Sequence, residues 1–275
     1  MDLIQVGLAD RAGKLDSKLV VDTAASLNVQ VMRDLAQYWP VRATVRHLPD
    51  PNSIPVGVWP VFLVETLPPG EGGIHLDDMN QPYSLVVAAP GDNEWTIDAS
   101  HETLEMLIDP TGNRLQASRA IEISGNDVQD APGEFEYLVE ACDPCQANQY
   151  AYAINGIMVC DFITPHFYDP VASAAARYSF GGNIQRPRQL LPGGYLSFVD
   201  PQQQLMQQIL WLDGTPQLRT LGPAPGASLR AFVDNQTMAA VKKARKPNKP
   251  LAAACDAHRA HAARAAALRG KRYTF

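Results

Sequence analysis

The residues whose types and spacing can do chemistry together are His101, Glu102 and Glu105, inside the run Ala99-Ser100-His101-Glu102-Thr103-Leu104-Glu105-Met106-Leu107-Ile108-Asp109-Pro110. If that run is a helix, positions four apart share a face. His101 and Glu105 can then address one cation while Glu102, one position round, reaches a water beside it. This is the H-E-x-x-H logic of metal-assisted hydrolysis with one histidine exchanged for glutamate: His101 and Glu105 as ligands, Glu102 as general base. A surface helix that shows one histidine and two glutamates to water carries the same local pattern, so its neighbours have to decide.

Several neighbours fit. Ser100 stands where an N-cap belongs, Leu104, Met106, Leu107 and Ile108 supply an inward apolar face, and Asp109-Pro110-Thr111-Gly112-Asn113 ends the helix. A further protein ligand must come from outside the helix. Glu140 and Asp143, in Glu140-Ala141-Cys142-Asp143-Pro144-Cys145, follow at a distance that lets the chain return, and Asp143 is the first choice. Asp109 is the competitor, but on an unbroken helix it lies about 12 Å along the axis from His101. It is therefore read as a helix-end or supporting residue.

Ser100-His101-Glu102-x-x-Glu105-x-x-x-Asp109-Pro110, Glu140-Ala141-Cys142-Asp143-Pro144-Cys145 and Ile154-x-Gly156-Ile157-x-Val159-x-Asp161-Phe162-x-x-Pro165 together resemble a group of uncharacterised bacterial and phage-borne proteins with a zincin-like signature. The similarity spans roughly residues 20 to 200. A looser echo, S-H-E-x-x-E followed by E-x-x-D-x-C, is similar to the plant phosphate-induced (exordium) family. The resemblance implies an α+β, zincin-like (metzincin-like) domain, a mixed sheet with an active-site helix. It says little about substrate. The ligand pattern itself reads as a metal-dependent hydrolase with a peptide or protein as the expected substrate and zinc as cofactor; one histidine with two carboxylates lowers the ion's Lewis acidity, which leaves manganese, calcium or no metal as alternatives. A catalytically inactive scaffold or interaction protein, phage-related, is the second reading.

The elements around the helix are read from pattern. Leu19 to Leu35 has near-helical apolar spacing; Val41–Leu48, Gly57–Val64 and Ser84–Pro90 read as strands, while residues 1–18 read as mixed and polar. His75 lies after the loop Pro68–Gly73 and reads as a polar surface residue, with a place on a strand bordering the cleft as the alternative. Asn155-Gly156 is a hairpin turn between Tyr150–Ile154 and Ile157–Ile163. Tyr150, Tyr152 and His166 are read as packing residues with an oxyanion-stabilising role as the alternative. Gly193-Gly194 allows a close backbone approach.

The chain has 275 residues, 46% of them hydrophobic, enough for a substantial core. It has no apolar run long enough to span a bilayer and no leader-like start, which predicts a cytoplasmic protein with no membrane contact. Four cysteines in such a chain read as reduced thiols. Cys142-x-x-Cys145 can pair if oxidised, but a zinc knuckle would need a second pair that Cys160 and Cys255 do not supply. The expected layout is a domain over 1–200, a Gln/Pro/Gly-rich extension over 201–240 and a basic Ala-rich tail over 241–275, helical or disordered. The tail carries ten Lys/Arg against Asp256, so the remainder holds a net −15. That asymmetry points to docking on the acidic body, or to nucleic acid or an acidic partner, with a solvated tail as the plain alternative.

Overall fold

The computed structural model describes residues 3–67, 72–78, 81–225, 229–230 and 232–233. It is an α+β structure with two five-stranded sheets, a short hairpin and two α-helices among the described residues. The first sheet contains β1 (Ile4–Asp10), β2 (Ala43–Leu48), β3 (Val58–Val64), β4 (Gly73–Asp78) and β5 (Gln81–Val87) in the order β2-β1-β3-β5-β4. Pairs β1/β2, β1/β3 and β3/β5 are parallel, and only the edge strand β4 runs antiparallel, on β5. β1 was read as mixed and polar. Its burial pattern shows why: a central parallel strand, covered on both faces, has no apolar/polar alternation to betray it, and only Val6, Gly7, Leu8 and Ala9 are enclosed.

Helix α1 (Ser17–Val29) starts at Asp16, whose side chain accepts the Lys18 N–H, and continues through a π-helical turn (Gln30–Asp34) and a 3-10 turn (Leu35–Gln37). Helix α2 (Trp95–Ile108) carries the chemistry-bearing run, and every residue of it except Asp98 is buried. The solvent-facing alternative for this helix is thereby excluded. Ser100 is not its N-cap, because α2 begins a turn and a half earlier, after Glu94. Instead the Ser100 hydroxyl donates to Gln30 Oε1 (2.8 Å) and accepts the Cys160 N–H (3.0 Å), fastening α2 to α1 and to the strand beyond.

The second sheet, β12-β11-β10-β7-β6, is antiparallel: β6 (Leu115–Ser124), β7 (Asp127–Leu138), β10 (Tyr195–Asp200), β11 (Leu205–Leu212) and β12 (Thr215–Pro223). The expected boundary at residue 200 falls between two paired strands of this sheet. β8 (Tyr152–Ile154) and β9 (Ile157–Val159) form the predicted hairpin, with Asn155 (φ 51) and Gly156 (φ 84) both left-handed as the turn requires. No helix among the described residues is long and apolar enough to cross a membrane. The basic tail, with Cys255, lies outside the described residues.

Candidate metal centre

Helix α2 places His101, Glu102 and Glu105 in the interior at 7%, 3% and 0% exposure, where unpaired charge is costly. Glu105 is the hub. Its Oε1 accepts the Cys142 N–H (3.0 Å), while its Oε2 lies 3.1 Å from His101 Nε2, 3.8 Å from His75 Nδ1 and 3.0 Å from Arg230 Nη1. The i,i+4 geometry of His101 and Glu105 is thus realised as the spacing requires.

Beyond β7 the chain turns through a 3-10 turn at Asp143–Cys145 and brings both expected carboxylates in. Asp143 Oδ1 is 3.2 Å from His101 Nε2, and Glu105, Glu140 and Asp143 each offer an oxygen within 4.8 Å of the others. Two further sets of ligand atoms meet the same limit: His101, Glu105 and Cys142, and His75, Glu102 and Glu105. Gly194 fixes the turn's position, since a Cβ there would meet Pro144 O at 2.5 Å and Asp143 O at 2.7 Å. Asp109 caps the C-terminus of α2, its Oδ2 accepting the Arg114 N–H (2.7 Å), a helix-end role.

His75 takes its alternative place, on a strand, and not that of a surface loop residue. It sits on β4, 2% exposed, with Nδ1 3.6 Å from Glu102 Oε2. The flanking loop residues and the short run disguised it; a histidine between Ile74 and Leu76 was the signal available. Gly73, two residues away, leaves room for Glu102, whose Cγ and Oε1 would lie 2.6 Å and 2.7 Å from a Cβ at that position. Arg230 was also missed, because nothing in its local sequence marks it as internal. It is 5% exposed and reaches Glu105 (3.0 Å), Glu140 (2.6 Å) and Asp143 (3.7 Å) through Nη1. Tyr168 is the third unforeseen neighbour: its buried hydroxyl has no hydrogen-bond partner, and burial followed by the Glu140 charge holds its acidity well below normal. Tyr152 serves packing, donating to Asp34 Oδ2 (3.0 Å), and His166 is an exposed partner of Asp169, so neither stands at this cluster.

The charges push one another strongly. Burial disfavours the Glu105 anion, yet His101 and Arg230 outweigh it and hold Glu105 well below the usual carboxylate range. Burial likewise opposes the His101 cation, but Glu105, Asp143 and Glu102 raise its pKa well above the ordinary value. Glu140 is pushed well up, by burial first and then by Glu105 and Asp143 against the pull of Arg230. Asp143 is raised to about 6, by burial and then Glu105, with Arg230 and His101 opposing.

Whether the residues suit a cation is answered by what they lack. Both ring nitrogens of His75, Oε2 of Glu102 and both oxygens of Glu140 and Asp143 are buried without a properly directed hydrogen bond. Atoms of this kind are ordinarily satisfied. An oxygen-rich set with one or two imidazoles is of a kind that can hold a divalent cation, and these residues fit one.

Near the cluster, Cys142, Cys145 and Cys160 are free buried thiols. The Cys142 sulfur lies 3.3 Å from that of Cys160, so Cys160 and not Cys145 is its close neighbour. Comparison with protein-family models, curated proteins and solved structures returns no match for the chain.

Proposed function

We propose that this protein is a metal-dependent hydrolase of zincin-like type, with His101, Glu105 and Asp143 holding a divalent ion and Glu140 beside them. The observation that carries this reading is the set of buried carboxylates and imidazoles that converge on Glu105 from α2, β4 and the 139–145 turn, several of their atoms without a directed hydrogen bond. The single antiparallel edge strand beside α2 supports the zincin-like comparison. So does the return of the chain to His101 after β7.

When bound, the ion would supply Lewis-acid polarisation of the scissile group and of water. The chain's residues do the rest. Glu102 is the general base: Oε2 takes a proton from water and passes it to the leaving group. His75 Nδ1 stands 3.6 Å from that carboxylate on the β4 side. His101 must give up its proton before Nε2 can act as a donor, and Glu105 keeps its negative charge throughout. Two or three carboxylates around one cation lower its Lewis acidity relative to a histidine-rich site. A peptide bond is therefore the demanding end of the substrate range, and a slower enzyme or a harder metal such as manganese is the expected consequence.

A second reading, a scaffold without catalysis, draws on one observation: Arg230 already supplies a positive charge to Glu105, Glu140 and Asp143. Metal content of purified protein separates the two. The hydrolase reading predicts about one equivalent of zinc or manganese, lost in His101→Ala and kept in Glu102→Gln. Absence of stoichiometric metal from protein refolded with either ion would leave the scaffold.

A further inference from the structure

We propose that the segment carrying Arg230 is a built-in competitor for the cation, Arg230 and a divalent ion taking the same carboxylates in turn. The inference rests on the metal-site reading above and adds how that site is governed. Arg230 Nη1 lies 3.0 Å from Glu105 Oε2, 2.6 Å from Glu140 Oε2 and 3.7 Å from Asp143 Oδ2. Those three residues form one of the ligand sets whose atoms lie within 4.8 Å of each other. An ion held by His101, Glu105 and Asp143 takes two of the three carboxylates that Arg230 pairs with, and it takes the same Glu105 oxygen, Oε2, which lies 3.1 Å from His101 Nε2 and 3.0 Å from Arg230 Nη1. The two cations exclude each other.

Protonation offers no escape, because a guanidinium keeps its charge at any pH the fold survives. Arg230 must leave when its carboxylates turn to an ion, since an unpaired buried cation is strongly disfavoured. The described residues of this segment have other contacts as well. The Arg230 N–H donates to Gly112 O (2.9 Å) and the Leu229 N–H to Asn113 Oδ1 (2.9 Å). Leu229 and Val233 pack on Leu138, Val199 and Met206 in a small cluster apart from the main core. The ion pairs are the contacts that the two cations contest, and Arg230 is displaced from them when the ion is taken up.

The test measures zinc(II) and manganese(II) binding to wild type and to Arg230→Gln by calorimetry, and tryptic cleavage of the wild-type chain at the Arg230–Ala231 bond with and without each ion. We expect Arg230→Gln to bind roughly tenfold or more tightly than wild type, and cleavage of the wild type to speed up by a similar factor with metal. Binding to Arg230→Gln alone also supports competition, with arginine as the stronger rival. Equal affinities with unchanged cleavage would overturn the competition while leaving the metal site in place. Absence of binding to either protein would overturn both. Should Arg230→Gln fail to fold, Arg230→Lys replaces it, with a smaller gain expected, and the wild-type cleavage decides.

Discussion

At Glu105 three kinds of contact meet in one carboxylate: a backbone amide, an imidazole and a guanidinium, with no exposure to water. Its removal leaves His101 and Arg230 as buried charges without their main partner, so Glu105→Ala should lower unfolding free energy by about 3–5 kcal/mol. Chemical denaturation of the metal-free protein measures this; a loss under about 1 kcal/mol would show that the cluster relaxes at little cost. Asp143 behaves in the opposite sense. Its pKa is raised on folding, from 3.8 to about 6, so the folded state binds more protons than the unfolded one between those values. That contribution is fully favourable below the unfolded value and is lost as pH rises through the folded one. His101, also raised, acts in the same direction at higher pH, and its share is lost as pH climbs through its elevated value. Glu105, lowered, acts in reverse and gives its contribution back only as the pH falls through its depressed value. Metal-free protein should therefore lose stability from about pH 4 to pH 6 by no more than about 3 kcal/mol on account of Asp143. Thermal melts across that range should flatten in Asp143→Asn; a slope identical to wild type would remove Asp143 as its source.

Close approach at glycines helps the elements to hold these side chains. Gly194→Ala places a methyl against the backbone of Pro144 and Asp143, and should cost about 1–3 kcal/mol while displacing Asp143. Reduced metal affinity alongside the lower midpoint is the expected signature; a normal affinity would show that the turn is held elsewhere. Gly73→Ala should act on Glu102 instead, lowering activity with metal binding retained. The sequence disclosed the C-terminal end of α2 and its His101/Glu105 spacing, because both are local, but not its start, since Ser100 resembles an N-cap inside the helix. The β8–β9 turn was equally plain from Asn155-Gly156. β1 and β4 were not, since one is a doubly covered strand and the other an edge strand of six residues that opens on a glycine. With β4 went His75, whose role depends on a partner strand that no local pattern shows.

Across the molecule, the first sheet carries α2's cluster on one side, and β7 of the second sheet delivers Glu140 and Asp143 from the other. The centre thus exists only when both sheets are formed. Arg230, 125 residues beyond Glu105, closes it. Contacts of that sequence separation are set by the whole fold, so neither Arg230 nor the continuity of β10, β11 and β12 across residue 200 could be read from composition. The Gln-rich stretch reads as an extension because Gln207 and Gln208, adjacent and both buried in β11, are residues that composition places outside a core. The account stands on one claim, that the buried donors around Glu105 are a cation site. Anomalous X-ray diffraction from crystals soaked in zinc or manganese tests it most directly. It predicts one ion peak within about 2.0–2.3 Å of His101 Nε2 and a Glu105 oxygen, with Asp143 drawn to it and the Arg230 side chain withdrawn. A cluster without a peak at saturating metal, with Arg230 still paired to Glu105 and Glu140, would contradict it.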